Sequence, residues 1–442
     1  RRQLPGCSLE PVGNPAIPEC VSSSPLISPS NRSRRTRRYQ PHVGTALNAM
    51  PTNSMPTFES MLTSVVRQPL FATVRFGILS TYAPTPCGLA RFSAGLSSAL
   101  TVRGSEVAVV RVADESPATS ARVVAELVNG SAPSVLACAD SLNHHDVAVI
   151  QHDFGIYGGT DGAELIDILG ELRVPSILVA HAVLKSPTPQ QRQVLETVLA
   201  RADRVVVMSE AARQRLCLTY AVDRRKVAMI PHGATIPTSP RLKRPSRPTI
   251  LTWGLLGPGK GIERVIDAMP SLRDLPGRPR YVVAGRTHPK VLAAEGEAYR
   301  ESLIEQARRI GVADSVHFDP QFYGGAMLNA LVQSASVIVL PYDSTDQVSS
   351  GVLVDAVVSG RPVVATAFPH ALEMLCGGAG IIVDHGDPGA MRTALRRVLT
   401  EPRLAGSMAA EARLMAPEME WSVVASAYNR LAQSILADRA GV

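Results

Sequence analysis

Residues 72 to 420 of this 442-residue chain predict an α/β protein with two doubly wound parallel-sheet domains of similar size. Three observations carry that expectation. Short apolar runs alternate with helix-like segments, and the alternation occurs twice. The runs are apolar nearly throughout, as strands are when helices cover both faces of a parallel sheet. A proline-rich stretch, TIPTSPRLKRPSRP at 235–248, separates the two series and reads as a linker. The boundaries are therefore 72–235 for the first domain, 236–247 for the linker and 248–420 for the second. A last helix over 421–438 follows.

Residues 1–70 come first, rich in Pro, Ser, Asn and Arg and without a sustained apolar period. They read as a disordered basic tail. The tail holds eight Arg and three Glu, which is +5 of the net charge of +7. The remaining chain is close to neutral, so its body lacks the charge of a nucleic-acid-binding protein. The NRSRRTRRYQ cluster has the charge to touch anionic lipid or nucleic acid, and a solvated tail is the alternative. No apolar core of a secretory signal is present in it.

The strands of the first domain are expected at 74–80, 106–112, 146–152, 176–181, 204–209 and 226–230. Helix-like segments lie near 88–101, 118–129, 160–172, 189–201 and 210–219. In the second domain the strands are expected at 249–253, 280–284, 315–318, 336–340, 362–366 and 380–383. Its helices fit near 259–270, 290–310, 324–334, 349–359 and 388–400, with two more near 403–414 and 420–437. Ile262, Val265, Ile266 and Met269 fall at i, i+3, i+4 and i+7, which gives one buried stripe.

Composition excludes several classes. The chain is 45% hydrophobic and 19% charged, as ordinary soluble globular proteins are. No apolar run reaches the ~18 residues of a membrane helix, although peripheral contact stays open. The six Cys form no C-x-x-C pair and match neither a metal site nor a disulfide framework, so reduced thiols in a cytoplasm are the plain reading.

GLLGPGKG at 254–261 follows the apolar run TILTW. It nearly fits the phosphate loop of nucleotide hydrolases, G-x-x-x-x-G-K-[S/T]. Gly261 stands where that loop needs a hydroxyl for Mg²⁺, and Pro258 removes an N–H donor. A strand, a glycine loop and a helix start still make an anion site, to which Lys260 adds a full charge. The alternative is a tight turn with a solvated lysine. In DQVSSGVLVDAVVSGRPVVAT at 346–366, Ser350, Gly351 and Val352 would present first-turn amides, a second anion cradle. Asp355 lies one turn further on the same side, where a carboxylate suits a ribose diol, or is simply solvated. In the first domain, Gly88 opens a helix after strand one. His152 and His181 stand just past strand ends, where a histidine bonds sugar hydroxyls, moves a proton, or serves only a structural hydrogen bond.

These motifs, in this order, resemble the retaining nucleotide-sugar glycosyltransferases of the GT-B fold, glycosyltransferase family 4. The resemblance covers roughly residues 74–435. It rests on the Gly88 loop, VAHAV with His181, VVVMSE, MIPHGA, GLLGPGKG, VVAG and the 346–366 segment, which is similar to the family's E-x7-E. It implies two Rossmann-like domains facing a cleft, with the terminal helix crossing back to the first domain. It implies Lys260, His181 and Gln347 as catalytic residues. It implies a donor site of Gly88, Gly257, Gly259, Lys260, Gln347, Ser349, Ser350, Gly351, Val352 and Asp355. Gln347 and Asp355 take the places of the two glutamates, while His152 and Glu373 are implied near the sugar or acceptor. Leu255 stands where the family has Arg, and Arg286 is the expected substitute cation.

The implied activity is transfer of a hexose, mannose or glucose, from a UDP- or GDP-sugar to a glycan, lipid-linked or small-molecule hydroxyl. It needs no metal and no cofactor beyond the donor. The implied partners are that donor and a glycan or glycolipid acceptor, without nucleic acid. The implied place is the cytoplasm, with the inner membrane face open to peripheral contact. A nucleotide-sugar-binding protein with weak or no transfer is the second reading.

Overall fold

The computed structural model describes residues 73–237, 246–387 and 389–441. The expected tail, 1–70, and most of the expected linker lie outside the described residues. Among the described residues no helix is long and apolar enough to cross a membrane.

Among the described residues, thirteen strands form two fully parallel sheets. The first sheet contains β1 (Arg75–Ser80), β2 (Glu106–Val112), β3 (Val123–Leu127), β4 (Val147–His152), β5 (Ser176–Ala180), β6 (Arg204–Val207) and β7 (Val227–Met229). Its spatial order is β3-β2-β1-β4-β5-β6-β7. The second contains β8 (Thr249–Trp253), β9 (Arg280–Ala284), β10 (Val316–Asp319), β11 (Val337–Leu340), β12 (Val363–Thr366) and β13 (Gly380–Val383). Its order is β10-β9-β8-β11-β12-β13. Each sheet thus reverses its winding once, between β1 and β4 and between β8 and β11. Phe76 pairs with Val107 on one side and Val147 on the other, and Ile250 pairs with Tyr281 and Val337. Ligands of such sheets bind outside the carboxyl ends of the strands, at the reversal. The loops that follow β1, β4, β8 and β11 carry most of the chemistry described below.

The helices are α1 (Gly88–Val102), α2 (Ala132–Asn143), α3 (Glu164–Glu171), α4 (Pro189–Arg201) and α5 (Glu210–Thr219) in the first half. In the second they are α6 (Ile262–Ala268), α7 (Pro289–Glu295), α8 (Ala298–Arg309), α9 (Gly325–Ser334), α10 (Gly351–Val358), α11 (Pro369–Leu375), α12 (Ala390–Thr400), α13 (Pro402–Met415) and α14 (Trp421–Ala440). Each sheet carries one apolar cluster per face. Full burial of a Val, Leu, Ile or Phe is worth about 1.5–3 kcal/mol, so the all-buried run Val147–His152 of β4 anchors the first core.

Four sequence expectations are corrected. The stretch 118–129, expected as a helix, contains strand β3. It is an edge strand, with the irregular burial and the register shift at Val109/Val110 that edges tolerate. Helix α2 was not expected, although Val135, Cys138, Ala139 and Leu142 are its buried stripe and Ser131 caps it. The helix expected over 290–310 is two helices, broken at Gly296, whose φ is +63°. Helix α11 was also not expected; it starts at Pro369, the position where a missing N–H does no harm.

The last helix packs on the first domain. Val424, Ala425, Tyr428, Ala432 and Ile435 of α14 join the cluster of Phe76, Phe92, Leu96 and Val149. The Ala234 amide donates to Met419 O at 2.7 Å, and the Trp421 amide donates to Ala234 O at 3.2 Å, pinning the start of α14. The Trp421 ring fills the space that a Cβ on either Gly95 or Gly233 would need. The two halves also meet along a polar seam. Ser209 Oγ donates to Val348 O at 2.6 Å, and Arg215 pairs with Asp346 at 2.7 Å.

Candidate active site

A cavity of about 810 Å³ opens where the two reversal points face each other. Its C-terminal wall begins with the loop after β8. Gly254 N–H donates to Ala284 O, and Leu256 N–H to Arg286 O, so the loop first continues the sheet ladder. It then turns through Gly259 at φ +85° and Gly261 at φ +64° into α6. A side chain at Gly261 would overlap the carbonyl oxygen of Pro341. The position that a phosphate loop gives to Ser or Thr therefore has no room for one. This settles the nucleotide-hydrolase pattern on steric grounds: the Mg²⁺-binding hydroxyl cannot be placed there.

Lys260 lines the cavity with its Nζ 4.9 Å from the centre of the Tyr342 ring. A cation over an aromatic face is attracted by the ring quadrupole. No carboxylate pairs with Lys260 among the described residues, and burial lowers its pKa. A half-buried ammonium without an anionic partner is a site for a ligand anion.

The loop after β11 completes this wall. Ser350 caps α10, its Oγ accepting the Leu353 N–H at 3.2 Å. The Ser350 amide is itself engaged, donating to His370 Nδ1 at 2.9 Å. His370 is buried, and burial, then the charge of His232, pushes its pKa down to about 3, so it remains a neutral acceptor. This corrects the expectation of three cradle amides: Gly351 and Val352, the first two helical positions, are the ones left without an intrahelical partner. A Cβ at Gly351 would lie 2.7 Å from His232 Nε2, so glycine lets the histidine seat against the helix start. Gln347 and Ser349 also line the cavity, and Gln347 Nε2 donates to Ser349 O at 3.0 Å.

The N-terminal wall is built from side chains on α1 and the strand ends. Gly88 opens α1, with Cys87 Sγ accepting the Ala90 N–H. Arg91, on the first turn, reaches across the cleft to Asp355, Nη2 to Oδ2, at 2.6 Å. Asp355 is thus neither solvated nor free; its carboxylate is held by a cation of the other domain. His181 stands at the end of β5 with Nε2 2.6 Å from Gln151 Oε1. Its ring meets Phe92 edge-on at 5.0 Å, as does that of His232. Burial, then His232 and His152, pushes the His181 pKa down to about 3. The ring is neutral, so it serves as a hydrogen-bonding group and not as an acid near pH 7.

Nine of the expected residues line one cavity: Gly88, His181, Lys260, Gln347, Ser349, Ser350, Gly351, Val352 and Asp355. Five do not. Gly257 and Gly259 shape the loop behind Lys260. Arg286 is exposed and stands outside the lining. His152 is buried behind the wall with its ring on Phe154 at 5.1 Å, and burial pushes its pKa down to about 4. Glu373 accepts the amides of Glu210 and Ala211 at 2.8 and 2.9 Å. It caps α5 across the domain seam instead of lining the cavity.

Sequence reasoning passed over Arg91 and Asp153 and gave His232, in a turn-like context, little weight; all three line the cavity. Arg91 did carry a signal, because a cation in the first turn of a helix opposes the helix dipole and needs another reason to be there. Asp153 follows His152 at the mouth of β4; burial raises its pKa against the opposing Gly155 amide and Lys290. Among the described residues no group of three or more His, Cys, Asp or Glu could hold a metal ion.

A model described as glycosyl transferases group 1 matches residues 247–401, and a model of glycosyltransferase family 4 matches residues 86–236. A D-inositol 3-phosphate glycosyltransferase of Kineococcus radiotolerans is 29% identical over 283 residues, covering 58% of this chain and 63% of that protein. The protein of the same name from Streptomyces griseus subsp. griseus is 29% identical over 305 residues, covering 60% and 63%. The matches thus span less than two thirds of those relatives' own length. Among solved structures, Anabaena Alr3699/HepE in complex with UDP and glucose superposes with a TM-score of 0.65 at 17% identity, covering 82% of this chain and all of that one. Sucrose-phosphate synthase from Thermosynechococcus elongatus gives 0.66 at 17% identity, covering 83% and 100%. At such identity these structures speak for the fold alone, two parallel-sheet domains of the GT-B kind.

Proposed function

The chain belongs to the group 1, family 4 glycosyltransferases, and from that premise we propose that it moves a hexose, mannose or glucose, from a nucleoside-diphosphate sugar to a hydroxyl acceptor with retention of configuration. The observation that carries this reading is Lys260, a half-buried cation with no carboxylate partner among the described residues, in one cavity with the α10 amides, Gln347, Asp355 and His181. Departure of a nucleoside diphosphate builds negative charge on its oxygens. Lys260 and the Gly351 and Val352 amides are fixed dipoles and charge for that anion, and preorganised donors of this kind dominate such catalysis. The arrangement asks for no metal, because the lysine and the helix start neutralise the leaving group.

Gln347 and neutral His181 supply hydrogen bonds to sugar hydroxyls. The acceptor hydroxyl attacks from the side of the leaving group, and the departing phosphate takes its proton. No enzymatic nucleophile is required. The nucleotide is uridine or guanosine; the structure of a fold neighbour with UDP-glucose favours trying UDP first. The acceptor is a glycan, a lipid-linked sugar or a small polyol. The name of the relatives puts inositol 3-phosphate on the list of acceptors to try. Action in the cytoplasm, with contact at the membrane face for a lipid-linked acceptor, belongs to the same proposal.

A second reading is favoured by one residue. Leu255 removes a cation that the family resemblance expects, and a site short of one charge could hold a nucleotide sugar and turn it over poorly. A panel of UDP- and GDP-sugars, screened by thermal shift and then for hydrolysis and transfer, decides between the two. Transfer or hydrolysis of one donor is expected. Binding without turnover with every acceptor tried would leave only the second reading.

A further inference from the structure

The leucine at 255 leaves the diphosphate site one cation short, and the expected replacement, Arg286, is exposed outside the cavity. A different arginine lines it. Arg91 sits on the first turn of α1, three residues after Gly88, where the helix dipole disfavours a cation. Its guanidinium crosses the cleft and is held by Asp355 at 2.6 Å. Asp355 lies four residues after Gly351 on the same face of α10. Asp355 is thus about one helical turn, ~5 Å along the axis, from the helix start, and it holds the guanidinium on that face. Only Nη2 is hydrogen-bonded to that carboxylate, and the side chain keeps 35% of its surface exposed toward the cleft. A guanidinium has five N–H donors, and its planar fork matches a phosphate better than a point charge does.

We propose that Arg91 supplies the second cation of the donor's diphosphate site, from the opposite domain. The inference rests on the nucleotide-sugar reading above. In the unliganded protein, Asp355 parks the guanidinium beside the α10 amides. With donor bound, the diphosphate is held between Lys260 of one domain and Arg91 of the other. Cleft closure and charge neutralisation are then the same event.

The test compares binding of UDP, UMP, GDP and GMP by calorimetry in wild type, R91A, R91K, D355N and the double variant R91A/L255R, with circular dichroism to verify folding. For whichever diphosphate wild type binds, R91A is expected to weaken it about 10- to 100-fold, the range for a charge-assisted hydrogen bond. The monophosphate should weaken by less than about threefold, since the charge it lacks is the one Arg91 meets. R91K should keep part of the affinity. R91A/L255R should recover most of it, because the cation returns at the family's position. Diphosphate affinity unchanged in R91A overturns the inference. So does equal loss of di- and monophosphate in both R91A and D355N without rescue by L255R, which would make Arg91 only a support for Asp355. If wild type binds neither UDP nor GDP, the nucleotide-sugar reading itself falls, and this inference with it.

Discussion

The two walls of the cavity are built by different means. The C-terminal wall is largely backbone: a glycine loop, a helix start and one lysine. The N-terminal wall is largely side chains: Arg91, His181, His232 and Phe92, held by each other and by Trp421 of the returning helix. A backbone wall depends on the few glycines that let the chain pass, and tolerates variation elsewhere. A side-chain wall depends on every packing neighbour. The comparison predicts that substitutions in the first wall act through charge or through forbidden backbone geometry, and in the second through packing and proton balance.

The largest effect is expected at the backbone wall's lysine. Lys260→Ala should lower turnover about 10²- to 10³-fold, as loss of one charge-stabilising donor does, with the melting temperature unchanged or raised, since burial already disfavours the ammonium. Steady-state donor hydrolysis measures it, and a loss below about fivefold would undo the contrast. Gly261→Thr completes the phosphate-loop pattern on paper. It should instead destabilise the fold by about 2–3 kcal/mol or more, through a left-handed backbone and a clash with Pro341 O. Chemical denaturation checks this.

On the packed wall, Gly95→Ala should cost about 1–3 kcal/mol, because the new methyl meets the Trp421 ring. The matching Trp421→Leu change should recover part of that loss in the double variant. Glu373→Ala removes the cap on two α5 amides at the seam and should cost about 1 kcal/mol.

The last effect is in the pH dependence of stability. His152, His181 and His370 all have pKa values pushed down by burial, to about 4, 3 and 3. In the unfolded chain they bind protons below ~6.5. Stability from these residues is therefore complete above that pH and falls as the pH drops toward 4, by up to about 1.4 kcal/mol per pH unit for each. The His152→Leu variant, which removes a buried ring without hydrogen-bond partners, should lose less between pH 7 and pH 5 than wild type. Denaturant midpoints at the two pH values give the difference.

How much of this was legible in the sequence follows from the same contrast. Strands such as β1, β4 and β8 were readable because both faces are covered, which leaves an unbroken apolar run. Strand β3 was not, because at a sheet edge its alternation of Val, Ala and Glu mimics a helical stripe. The glycine loop and the α10 start were readable because conformational permission is local to the residue that grants it. The partners of Ser350, Asp355 and Glu373 were not, because each lies across a fold: His370 from the start of α11, Arg91 and the α5 amides from the other domain.

The sequence alone determined the two parallel sheets and the lysine-bearing glycine loop, since periodicity and glycine act over a few residues. The tertiary structure decided which charges meet. Arg91 and Asp355 are 264 positions apart, and a separation of that size carries no local signal; only the facing of two sheets at their reversal points puts the guanidinium against the carboxylate.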